Sequence, residues 1–123
     1  MADYRIWMPL KCGDFMRATS DFTAEECGAY ILLLNQYWQH GPLPNDDRAL
    51  ARIARIAPHA WRVSVANRVL REFELVDHAG TELWHLPRLD AELDRAGKIA
   101  ESTHKRASRA AILRWRGPPK KDA

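Results

Sequence analysis

Three groups of side chains in this chain have the types and spacing to do chemistry. The first is acidic: Glu25-Glu26, Asp46-Asp47 and the isolated Asp14. Carboxylates placed close together can divide the work of acid and base between them. The second is imidazole: His78 and His85 flank a short turn, with Asp77 beside them, and can face each other as the beginning of a metal site. A closed metal site needs further ligands at characteristic spacing, and none accompanies these. The third is cationic. Arg62, Asn67, Arg68 and Arg71 are donors at helical spacing, and Arg and Asn are good readers of base edges. Lys98, Lys105, Arg106, Arg109, Arg114 and Arg116, with Lys120 and Lys121 beyond them, offer a surface for phosphates that carries no sequence readout.

The acidic group has a simpler use. Thr23 and Glu26 have the spacing of a capping box, in which each side chain satisfies the other residue's backbone N–H. Asp46 and Asp47 stand where a second helix must start, and acids are favourable at that positive end. Nucleophilic and phosphate-cradling motifs are missing: there is no GxxxxGK[ST], no GxGxxG after a strand, and no serine flanked by elbow glycines. A non-enzymatic protein is therefore expected, with no catalytic residue, no metal and no cofactor. Cys12 and Cys27 lack CxxC spacing and are expected to be free, packed thiols of a reducing compartment.

The elements that must position these groups follow from periodicity. Tyr4–Leu10 alternates loosely and reads as a short strand, confined to an edge by Pro9. A helical turn is expected over 14–20. Helix one covers about 23–40, with Tyr30, Leu33, Leu34, Tyr37 and Trp38 inward, and stops at Gly41-Pro42. Helix two covers about 46–56. Its apolar face is Leu50, Ile53 and Ala54, and Arg48, Arg52 and Arg55 lie opposite. Helix three covers about 58–73, with Pro58 suited to its first turn and Trp61, Val65, Val69, Leu70 and Phe73 inward. Leu75-Val76 and Leu83–Leu86 then form a hairpin whose turn uses Gly80. A last helix from about 88 carries the stripe Leu89, Leu93, Ala96 and Ala100, and ends at Gly117-Pro118-Pro119. Trp7, Trp38 and Trp61 are expected in the core; Trp84 is placed there too, with an exposed wing tip as the alternative.

The fold class is mainly α with a small β-hairpin, α+β. Helix, helix, hairpin is the winged helix-turn-helix plan, in which the third helix can enter a major groove and the hairpin is the wing. Residues 1–87 would form the winged-helix-like domain, 88–116 a long basic C-terminal helix, and 117–123 a disordered tail. The chain's 46% hydrophobic content and five tryptophans support a small core. No run of about eighteen apolar residues predicts a membrane span, and the N-terminus lacks signal-peptide features, so a cytoplasmic protein without membrane contact is expected. The net charge of +3 is uneven. Residues 1–87 hold 9 basic and 11 acidic side chains, whereas 88–123 hold 10 and 5. A basic tail on an acidic body suits an anionic partner reached through phosphate contacts.

The ordered set Trp7-Met8-Pro9-Leu10, Gly13-Asp14, Thr23-x-Glu25-Glu26-x-Gly28-Ala29-Tyr30, Leu33-Leu34, Trp38, Gly41-x-Leu43-Pro44-x-Asp46, Leu50-Ala51-Arg52, Trp61, Val69-Leu70, Phe73 and Arg88-Leu89 resembles the YdaU-like family of prophage and phage-derived proteins, a domain of unknown function. The likeness extends into the basic ending, Lys105-Arg106-Ala107 through Arg114-Trp115. It implies similarity to the N-terminal winged-helix regions of phage replication initiators, which bind origin DNA. The expectation is a DNA-associated protein acting in replication initiation. The alternative is a protein-interaction module, an adaptor or homodimer, which docks a replication protein or a second copy through the last helix and does not touch DNA.

Overall fold

The computed structural model describes the backbone of residues 3–116 and the side chains of 5–103, 105 and 106. The expected tail at 117–123 lies outside the described residues. The centre of the fold is α2 (Ala24–His40). The Thr23 hydroxyl accepts the Glu26 N–H at 3.1 Å, and the Glu26 carboxylate accepts the Thr23 N–H at 2.8 Å, so the capping box is closed. The helix buries Ala29, Tyr30, Leu33, Leu34, Tyr37 and Trp38. Burying a side chain such as Leu33 contributes about 2 kcal/mol over leaving it in water. Gly41, with φ +90°, turns the chain out of the helix in a conformation closed to most residues.

The order around α2 is a 3-10 turn (Asp3–Ile6), α1 (Cys12–Ala18), α2, β1 (Leu43–Pro44), α3 (Asp47–Ala54), α4 (residues 58–69), β2 (Glu74–His78), β3 (Thr81–His85) and α5 (Pro87–Arg116). The architecture is α+β. Its three strands are antiparallel in the order β1–β3–β2, with Leu43 opposite Trp84 and Leu75 opposite the same residue on the other side. β2 and β3 are joined by the two-residue turn Ala79-Gly80, in which both residues have positive φ, as a type I′ hairpin requires. The Asp77 carboxylate accepts the Gly80 N–H at 3.0 Å and closes that turn.

Several expectations change. Tyr4–Leu10 is not a strand: a 3-10 turn lies against α2 and α5, and the sheet edge is taken by Leu43-Pro44. The Gly-Pro setting of those two residues hid a strand, although Pro44 on an edge leaves no ladder bond broken. Trp7 is 82% exposed, because the 3-10 turn points Ile6 and Trp7 outward and only Met8 reaches the core. Cys12 is exposed as well, on the first residue of α1, while Cys27 is half-buried; both are free. The start of the last helix packs on the body: Leu89 is buried, and Leu93 and Ala96 pack against the same core as α2.

α3 is capped by Asp46, whose carboxylate accepts the Arg48 N–H at 3.2 Å. It ends on Arg55 in the left-handed region, φ +62° and ψ +40°. That conformation costs a residue with a Cβ about 1 kcal/mol. α4 is continuous but uneven: Pro58–Ala60 is α, Trp61–Val65 is wound as a π-helix, and Ala66–Val69 is α again. The buried Trp61 indole N–H donates to Asp47 at 3.2 Å, which ties α4 to the start of α3.

Candidate nucleic-acid interface

α4 presents Arg62, Val63, Ser64, Asn67 and Arg68 to solvent, while Trp61, Val65 and Val69 are buried. A π-wound segment is rare and occurs often at functional positions. Arg62 and Asn67 line an open concavity with Asp47, Ala66, Leu70 and Trp84. Trp84 is half-buried against the core, and its indole N–H donates to the side-chain Oδ1 of Asn45 at 3.2 Å. Asn45 in turn donates to Glu82 at 3.1 Å, so the inner end of the hairpin is fixed to the loop before α3. Trp84 is thus a strut between sheet and concavity and does not form a wing tip.

Arg68 and Arg71 are placed differently from Arg62 and Asn67. The helix ends at Val69, so Arg71 turns back toward the connection between α1 and α2. Its two terminal nitrogens donate to the two oxygens of Asp21, each at 2.9 Å, and one also donates to the Ala18 carbonyl at 3.3 Å. The guanidinium lies 5.4 Å over the Phe22 ring. Arg68 donates to the Asp21 carbonyl at 2.7 Å and approaches Glu26 at 3.5 Å. The Arg71 hydrogen bonds hold the Asp21 carboxyl down at about 2, against partial desolvation. The same pairing raises Arg71. These two arginines fasten α4 to the N-terminus of α2, and their donors point inward to protein acceptors.

The last helix repeats the pattern. Lys98 pairs with Asp94 at 3.1 Å and Lys105 with Glu101 at 3.6 Å, each one helical turn apart. Arg106 is exposed. The side chains of Arg109, Arg114 and Arg116 lie outside the described residues.

The cations without a carboxylate are elsewhere. Among the described residues, Arg48, Arg52, Arg55 and Arg62 are exposed and make no side-chain ion pair or hydrogen bond. The sequence between 46 and 71 carries six arginines against Asp46 and Asp47, a net of +4 inside a body that is net negative. Summing charge over residues 1–87 conceals this local excess.

The imidazole pair is real and its partner is different. His78 and His85 meet Nε2 to Nε2 at 2.8 Å. The carboxylate beside His85 is Asp90 of α5, at 3.2 Å from Nδ1, because Asp77 is occupied in the hairpin turn. The Tyr37 hydroxyl donates to Asp90 and accepts the Leu86 N–H at 3.2 Å. Among the described residues no three His, Cys, Asp or Glu side chains converge as a metal's ligand set would. A partly enclosed apolar hollow between the Met8–Lys11 segment and α5 measures about 30 Å³. No helix is long and apolar enough to cross a membrane among the described residues.

A family model described as a protein of unknown function (DUF1376) matches residues 6–94. The uncharacterized protein YdaU of Escherichia coli (strain K12) is 43% identical over 56 residues, which is 45% of this chain and 19% of that relative. The matched stretch therefore spans about a fifth of the relative's length. No solved structure matches.

Proposed function

We propose that this chain, which belongs to the DUF1376 family of proteins of unknown function, is a non-enzymatic winged-helix protein of phage origin that associates with DNA in replication initiation. The observation that carries the reading is the cluster of exposed arginines on α3 and α4 that no carboxylate of the described chain neutralises. Unpaired guanidinium groups on a rigid helix pair are suited to phosphate, which they meet with two parallel hydrogen bonds. The order of elements supports the winged-helix part: α2, β1, α3, α4, then the β2–β3 hairpin, with β1 pairing to β3. In that plan α4 is the helix next to the groove, and Arg62 and Asn67 are its outward donors.

Fluorescence anisotropy with labelled duplex and single-stranded DNA, at low and moderate salt, tests the proposal. Binding that weakens steeply as salt rises supports it, since each neutralised phosphate releases counterion. No binding even at low salt overturns it.

The protein-interaction reading keeps one specific support. Ile6 and Trp7 are 72% and 82% exposed, and Leu10 and Met16 are exposed near them in sequence. Of the stripe expected to dimerise, Leu89, Leu93, Ala96 and Ala100, the first three are used by the protein's own core. A docking version of this reading therefore rests on the N-terminal segment. Light scattering of the intact chain and of Trp7→Ser checks it: loss of an oligomer in the variant supports the reading, and a monomer in both removes its homodimer form.

A further inference from the structure

We infer that Arg48, Arg52 and Arg55 form a phosphate clamp on α3 that grips one strand of a DNA duplex. The inference rests on the nucleic-acid reading above and assigns it a binding surface outside α4 and the tail. Arg48 and Arg52 recur at i and i+4, so they lie along one side of α3, and Arg55 follows directly on its last residue. At about 1.5 Å of rise per residue the stripe is about 10 Å long. One strand of duplex places a phosphate about every 3.4 Å of axis, so the stripe covers about three. The opposite side of the helix holds Leu50 and Ala54, each nearly inaccessible, which fixes the rotation of the stripe. The Asp46 cap and the bond from Trp61 to Asp47 fix its start.

Arg55 gives the second, independent observation. It occupies the left-handed position after the last turn of α3, where its N–H closes on the Ala51 and Arg52 carbonyls. Glycine or asparagine suits that position better. A bulky residue kept in a strained conformation points to use of its side chain. Arg55 stands one position past the helix end, exposed and without a side-chain ion pair among the described residues. Of the other cations, Arg68 and Arg71 are committed to Asp21, Lys98 to Asp94 and Lys105 to Glu101, whereas Arg62 of α4, in the same helix pair as the stripe, stays unpaired among the described residues.

The test compares the full chain with Arg55→Gly, with the triple variant Arg48→Ala/Arg52→Ala/Arg55→Gly, and with Lys105→Ala/Arg106→Ala. Anisotropy on a labelled duplex is measured across a salt series, with thermal unfolding in parallel. Arg55→Gly is expected to unfold at the same or a higher temperature while binding several-fold more weakly. The salt slope should fall by about 0.9 for each phosphate that is no longer neutralised, so by about 2.7 in the triple variant. Lys105→Ala/Arg106→Ala should fall less. If the intact chain binds duplex and the triple variant matches it in affinity and slope, the clamp is overturned and the DNA reading stands. If the intact chain does not bind at all, both fall. If polyglutamate displaces the duplex at equal charge concentration, the stripe answers to charge alone and its assignment to duplex phosphate is overturned. A lower unfolding temperature for Arg55→Gly overturns the inference from strain.

Discussion

Arg71 and Asp21 meet as a fork, with two parallel N–H···O bonds of 2.9 Å joining the residue just past α4 to the connection before α2. Fifty residues separate them in sequence. The pair shows how this chain spends part of its basic charge: a guanidinium that helical spacing offers to a ligand is taken by an acid from another element. Arg68 closes the same corner on the Asp21 backbone and on Glu26.

The Asp21 carboxyl is held near 2 against an ordinary 3.8, chiefly by the Arg71 hydrogen bonds. A depressed acid stabilises the fold above its unfolded value and stops doing so as pH falls through its folded value. Asp21→Asn should therefore lower the unfolding temperature at neutral pH, with the difference from the parent shrinking below about pH 4 and gone near pH 2. Calorimetry over that range checks it. A difference independent of pH would mean the carboxylate's charge does not matter to the corner.

The capping box supplies a separate, local test. Thr23→Ala removes the acceptor for the Glu26 N–H and leaves Glu26 with only half of the reciprocal pair. The expected loss is about 1 kcal/mol in urea unfolding. Thr23→Ser should retain most of it.

The parts of the fold legible in the sequence were those whose cause is local. The Thr23 cap, the buried stripe of α2, the Gly41 exit, Pro58 opening α4 and the Gly80 turn all act within a few residues. β1 was not legible, because two residues become a strand only when β3 lies beside them. Trp7 was misplaced for a related reason: an aromatic residue predicts burial only if its backbone turns it inward, and the 3-10 turn does not. At the candidate site, Arg62 and Asn67 stayed on the exposed face as periodicity required. Arg68 and Arg71 did not stay available, since their partner Asp21 lies in a loop that spacing cannot place. Arg48, Arg52 and Arg55 were visible as a face of helix two, but the acidic total of the body masked them. Which cations are free is a property of pairings between elements, and the sequence order does not contain it.

The two fully buried tryptophans on α2 and α4 should respond differently to the same substitution. The Trp61 N–H donates to Asp47, whereas Trp38 Nε1 has no acceptor among the described residues. Phenylalanine removes similar volume at both. Only at position 61 does it also break a hydrogen bond and release the start of α3. Trp61→Phe should cost about 1 kcal/mol more than Trp38→Phe in denaturant unfolding. Equal losses would show that ring volume alone governs both sites.

High pH should act on the fold through two phenols. Tyr30 and Tyr37 are both raised above their ordinary 10, chiefly by desolvation. At Tyr30 the nearby Arg88 opposes the shift, its guanidinium donating to the hydroxyl at 2.9 Å. At Tyr37 Asp90 adds to it, since the hydroxyl donates to a carboxylate that would repel a phenolate. A phenol that ionises less readily in the folded chain binds a proton that the unfolded chain has released. Stability is then full below about pH 10 and falls as pH rises above it. Phenolate absorbance should show the two buried tyrosines ionising together with unfolding. Tyr37→Phe removes the larger of the two shifts and should make the alkaline loss shallower. It also takes away the acceptor of the buried Leu86 N–H, so at neutral pH it should cost about 1–3 kcal/mol. A variant that keeps the parent's alkaline profile would show that Asp90 and burial do not hold that proton.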